Sequence, residues 1–89
     1  MHQQWLIIAE DGRHVSLGRH TSPTEDELNV VEKGLLSQGL GGWLVRTMGN
    51  YYDRKKSYNI FVEKQIAPAS VTWEVAETRF SKIRLSKDT

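Results

Sequence analysis

The sequence predicts an α+β fold: a two-layer sandwich in the order ββαββα, with one antiparallel sheet and two helices on one face. Three observations carry that expectation. An Asp11-Gly12 pair separates two short apolar runs, which is the signature of a β-hairpin. Ser22-Pro23-Thr24-Glu25 then opens a segment whose apolar residues recur at helical spacing. A second pair of alternating runs precedes a second helical stripe.

Residues 4–9 and 13–18 are expected to form the first hairpin. A type I′ turn centred on Asp11-Gly12 pairs Glu10 with Arg13, Ala9 with His14, Ile8 with Val15, and Leu6 with Leu17. The face holding Leu6, Ile8, Val15 and Leu17 is wholly aliphatic and is assigned to the core. Trp5, Ile7, His14 and Ser16 then face away.

The first helix is expected over residues 23–38. Ser22 and Glu25 have the spacing of a capping box, and Pro23 suits the first helical position. Glu25, Asp26 and Glu27 complement the positive end of the helix dipole. Leu28, Val31 and Leu35 form one stripe, and Gly39 is a natural stop. Gly34 costs about 1 kcal/mol relative to alanine, a cost that close seating on the sheet would explain.

Residues 42–49 and 57–64 alternate as a second strand pair, with Trp43, Val45, Ile60 and Val62 toward the core. The connection between them, Gly49 to Lys56, is long for a hairpin. After the Ala67-Pro68-Ala69-Ser70 break, residues 71–86 read as a second helix. Trp73, Ala76, Phe80 and Ile83 fall within one arc of about 80° at 100° per residue. Val71, Trp73 and Val75 also alternate as a strand would, but the helical stripe extends further. Residues 86–89 are expected to fray.

Eighty-nine residues make a single small domain, and a composition 38% hydrophobic and 26% charged excludes collagen, a long disordered tail and a membrane span. Without cysteine there is no disulfide scaffold, cysteine zinc site or thiol nucleophile. The first apolar run, residues 5–9, has no basic leader and is short for a signal-peptide core, so a cytoplasmic protein is the expectation. Net charge is +1 but divided: residues 1–40 carry three bases and six acids, residues 41–89 nine bases and five acids. Such polarity suits steering of a partner or self-association; acids near helix starts and bases near helix ends account for it equally.

The most informative feature is the sheet face expected to lie away from the helices. It would carry Trp5, Ile7, Leu44, Met48 and Phe61, with His14, Arg46 and Glu63 among them. A solvated antiparallel face should be mostly polar, so this one points to a contact surface. The leading expectation is a non-enzymatic module binding a protein partner or a second copy of itself through Trp5, Ile7, Leu44, Arg46 and Phe61, with Arg46 fixing orientation. The alternative is weak binding of single-stranded nucleic acid by Tyr51, Tyr52, Arg54, Lys55 and Lys56, whose rings and charges suit stacked bases and phosphates. A pI near 8.1 falls short of the usual basic footprint. The structural account is that the 50–56 loop or the N-terminus covers the face, or that the register is one residue off.

No catalytic, metal or cofactor residues are assigned. His2, His14 and His20 lack ligand spacing. Asp11, His14 and Ser16 or Ser22 have the residue types of a triad without a nucleophile elbow. Gly39-Leu40-Gly41-Gly42 follows a helix and precedes a strand, the reverse of a phosphate cradle. At Gly18-Arg19-His20, Ser22 and Glu25 compete for the amides that an anion would need.

Overall fold

The structure, a computed structural model, describes residues 3–18, 21–49 and 59–88, with side chains followed to residue 83. The elements run β1 (Gln3–Ala9), β2 (His14–Ser16), α1 (Glu25–Ser37), β3 (Gly42–Met48), β4 (Asn59–Ala67) and α2 (Trp73–Asp88). One antiparallel sheet has the strand order β2-β1-β3-β4. The α+β class, the ββαββα order and the antiparallel sheet are those the sequence predicts. The layering differs, because the two helices lie on opposite faces of the sheet.

The reason is visible in β1. Trp5, Ile7 and Ala9 are buried with Leu28 and Leu35 of α1, whereas Leu6 and Ile8 are buried with Ala76 and Phe80 of α2. β3 divides in the same way, Leu44 joining the first cluster and Trp43 and Val45 the second. A strand covered on both faces needs an unbroken apolar run, and Trp5-Leu6-Ile7-Ile8-Ala9 is one.

The first hairpin closes one residue away from the expected register. Leu6 faces Ser16, Ile7 faces Val15 and Ile8 faces His14. The turn is a three-residue loop: Gly12 N donates to Ala9 O at 2.9 Å, and Ala9 N donates to Arg13 O at 2.8 Å. Gly12 has φ +94°, and among the described residues no non-glycine has positive φ. A type I′ turn would need positive φ at Asp11 too. Asp11 Oδ1 instead accepts from Arg13 N at 3.0 Å, and Oδ2 from Arg13 Nε at 2.6 Å. Gly12 also touches α2, where a Cβ would lie 2.6 Å from the Arg79 carbonyl carbon. The slip sends Val15 to the α1 side of the sheet, across from Ile7.

α1 starts two residues later than expected. Thr24-Glu25-Asp26-Glu27 is a second capping box overlapping the first, and the helix uses it. Glu27 N donates to Thr24 Oγ1 at 3.2 Å, and Thr24 N donates to Glu27 Oε1 at 3.1 Å. Pro23 and Leu28, both buried, take the two positions of a hydrophobic staple. At the far end Gly39 N donates to Leu36 O and Leu40 N to Leu35 O, a Schellman motif.

β4 carries two bulges against β3, one between the Val45–Val62 and Leu44–Lys64 pairs and one between Trp43–Gln65 and Gly42–Ala67. The second sends the consecutive residues Ile66 and Ala67 into the same cluster beneath α1. Val62, assigned to the core by alternation, is 42% exposed. α2 follows its predicted stripe: Ala76 and Phe80 are fully buried, and Trp43 and Trp73 meet edge to face at 5.6 Å.

Glu10 ties these parts together. It is buried in the turn after β1, and its Oε1 accepts from Gly41 N at 2.7 Å. Oε2 accepts from Ser70 N at 3.1 Å and from the Ser70 hydroxyl. Its own backbone N donates to Gly41 O at 2.9 Å, and its carbonyl accepts from Arg79 Nη1 at 2.9 Å. Gly41 permits this convergence, because a Cβ there would lie 2.3 Å from Ala69 Cα. The Ser70 hydroxyl, followed by the Gly41 amide, holds the Glu10 carboxyl below its ordinary value; the Ser70 amide and Arg79 add to this, and burial opposes it.

Two outcomes are expected from this packing. Because the folded pKa of Glu10 is lowered, its stabilisation is fully present above the ordinary carboxylate value and is lost as pH falls through the folded one. Urea unfolding from pH 7 downward should therefore show Glu10→Gln less stable at neutral pH, with a shallower acid-side decline than the parent. Thr47 is fully buried, and its Oγ1 has no hydrogen-bond partner among the described residues. Thr47→Val should raise the unfolding free energy by about 1 kcal/mol, read from the same urea titration at pH 7.

Candidate functional site

α1 lies over the β3–β4 half of its face of the sheet. Glu25 Oε1 is 3.8 Å from the Lys64 ammonium of β4, and a Cβ on Gly42 would lie 2.9 Å from Leu35 Cδ1. The face that the sequence leaves outward is therefore part of the interior. Trp5, Ile7 and Leu44 are 8%, 5% and 2% exposed, buried in the cluster that α1 covers, and do not form an open contact surface.

Of the five expected contact residues, Arg46 and Phe61 keep access to solvent, and they meet each other. The Arg46 guanidinium sits 4.8 Å from the Phe61 ring centroid, while its Nε donates to Glu63 Oε1 at 2.9 Å. Arg46 thus already has both a carboxylate and a ring. Tyr51, Tyr52, Arg54, Lys55 and Lys56, with His2 and His20, lie outside the described residues. His14 meets Phe80 edge to face at 4.9 Å on the α2 side. Among the described residues no group of three His, Cys, Asp or Glu is placed to hold a metal ion, and no helix is long and apolar enough to cross a membrane.

The register slip builds a different feature on the α1 side. β1 is buried there with α1, but Val15 of β2 is left 62% exposed, and between α1 and the first hairpin runs a cleft of about 380 Å³. Ile7 and Ala9 of β1 form its floor. Val31, Gly34 and Leu35 of α1 form one wall, Val15 and Leu17 the other, and Leu40 closes the base. Polar groups gather at one end, where Arg13 Nη2 donates to Gln38 Oε1 at 3.1 Å across the mouth. The volume falls in the range of ligand-binding clefts, and the aliphatic lining suits apolar groups.

Gly34 is the residue that the chain's own packing does not explain. Beyond its chain neighbours and the helix's own backbone, none of the described residues lies within 4 Å of the place a Cβ would take. The expectation that Gly34 seats α1 closely on the sheet is therefore corrected: the space beside it is open and belongs to the cleft. Apolar residues continue onto both rims, Val15 at 62% exposed and Val30, one helical turn before Gly34, at 71%. The sequence signal for the cleft was loop length. Reading three residues at the turn, instead of two, moves Val15 across the sheet from the α2 side to the α1 side.

No family model, no curated protein and no solved structure matches this chain.

Gly34→Ala is expected to raise the unfolding free energy by about 1 kcal/mol, measured by chemical denaturation, because alanine favours the helix and meets nothing. A lowered midpoint would show that the fold itself requires the glycine.

Proposed function

We propose that this chain is a non-enzymatic protein-binding module that receives apolar side chains of a partner polypeptide in the cleft beside α1. The observation that carries the proposal is the open space at Gly34. A helix-weakening residue stands at a wall where the described residues leave the place of a Cβ unfilled, so the cleft is open along α1. Two further features support the reading. Apart from His14 and the Arg13–Gln38 end, the cleft's lining is aliphatic, which favours burial of apolar groups. The exposed Val15 and Val30 extend the apolar surface past both rims, which favours a polypeptide over a compact metabolite. Binding would come from hydrophobic burial, with the polar end setting direction.

The test is site-specific photo-crosslinking in the protein's own cells. A benzoylphenylalanine in place of Val15 should give discrete adducts with another polypeptide. The same group in place of Val75, exposed on α2, should not give them, and Gly34→Leu should abolish them by filling the cleft. Adducts common to both positions, or none specific to position 15, would overturn the proposal.

A further inference from the structure

We infer that the peptide bond between Asp11 and Gly12 is a latent site of spontaneous backbone isomerisation, which the folded turn holds shut from both reacting ends. Asp11-Gly12 is the only Asp–Gly or Asn–Gly pair in the sequence. In such a pair the glycine amide nitrogen can attack the aspartate side-chain carboxyl, because no β-carbon on the second residue hinders the approach. A carbon–nitrogen bond forms, and the amide hydrogen leaves with the carboxyl hydroxyl as water, closing a five-membered imide. Water then adds to one imide carbonyl and breaks its bond to nitrogen. Cleavage at the side-chain carbonyl restores aspartate. Cleavage at the main-chain carbonyl leaves isoaspartate, with the chain now running through the former side chain.

The turn occupies both reacting groups. The nucleophile is Gly12 N, which belongs to a buried residue and donates its hydrogen to Ala9 O at 2.9 Å. Gly12 is pressed against α2, where a Cβ would lie 2.6 Å from the Arg79 carbonyl carbon, so its peptide cannot swing toward the side chain while α2 is docked. The electrophile is the Asp11 carboxyl, and both its oxygens are drawn forward to Arg13. Oδ1 accepts from the backbone N at 3.0 Å and Oδ2 from Nε at 2.6 Å. Arg13 is fixed in turn by its Nη2, which donates to Gln38 Oε1 at 3.1 Å. The Asp11 and Arg13 side chains are 37% and 61% exposed, so the carboxyl is held less firmly than the amide. Reaction therefore waits for the hairpin end to open.

The product does not fit the same turn. Isoaspartate adds one main-chain atom between Glu10 and Gly12, two positions without slack. Glu10 is buried with its carboxylate on Gly41 and Ser70, and Gly12 lies against Arg79. A turn opened long enough to react thus cannot return both residues to these partners.

The test keeps the whole chain warm at pH 7, folded in buffer or unfolded in urea. Isoaspartate at position 11 is followed by peptide mapping with electron-transfer fragmentation, which separates the two isomers. The folded chain should isomerise at least about tenfold more slowly than the unfolded one, because reaction needs an opened turn. Arg13→Ala should speed isomerisation of the folded chain about threefold, the scale of an exposed ion pair. Should that variant lose the parent's nitrogen-15 spectrum, Arg13→Lys, which removes Nε and keeps the charge, carries the same comparison. Leu28→Val, which loosens the core under α1 without touching the turn, should speed isomerisation less than Arg13→Ala does. The isolated isoaspartyl chain should unfold at lower urea than the parent, with the amides of Gly41 and Ser70 shifted. Equal rates in the folded and unfolded chains, or an unchanged rate in the folded Arg13 variant, would overturn the inference. So would a larger acceleration by Leu28→Val, or an isoaspartyl chain with the parent's stability and spectrum.

Discussion

The structure depends on one buried carboxylate. Glu10 joins three connections that the sheet alone would leave independent: the β1–β2 turn, the loop entering β3 and the loop entering α2. A carboxylate taken from water without partners would be costly, so the site holds only while its donors converge on it. That convergence is possible because Gly41 lets two backbone segments approach closely. It anchors the sheet end from which both helix-bearing connections leave.

The cleft follows from that arrangement. A helix held toward the β3–β4 side leaves β2 at the margin of that face, and the three-residue turn directs Val15 and Leu17 into the gap. On the other face α2 lies against β1, so Leu6, Ile8, Ala76 and Phe80 close a core with no comparable opening described. The two faces thus divide their roles: one supplies most of the fully buried side chains, the other combines a core with an open margin.

Much of the fold was legible from short-range pattern. The second helix, the order of elements and the stop at Gly39 each rest on residues within a few positions of one another. What escaped has two physical causes. The partners of Glu10 lie 31 and 60 residues away, a distance at which sequence alone carries no pairing signal. Counting errors in β structure are also amplified, because each strand residue changes face. One miscounted residue at Asp11-Gly12 relocated Val15, and two bulges in β4 removed Val62 from the core and admitted Ile66 and Ala67 together. The layering was present in the sequence as an unbroken apolar run in β1. Its meaning was lost when each strand was assumed to have one dry side and one wet side.

β4 is the longer of the two outermost strands and holds Ile60-Phe61-Val62, a stretch rich in residues that favour extended stacking. An unbroken margin of that composition would invite further chains to add on without limit. The inserted residues kink the strand at two places, and the charged Glu63 and Lys64 occupy the first kink. The irregularity that confused the alternation is thus also of the kind by which an edge strand resists the addition of further chains.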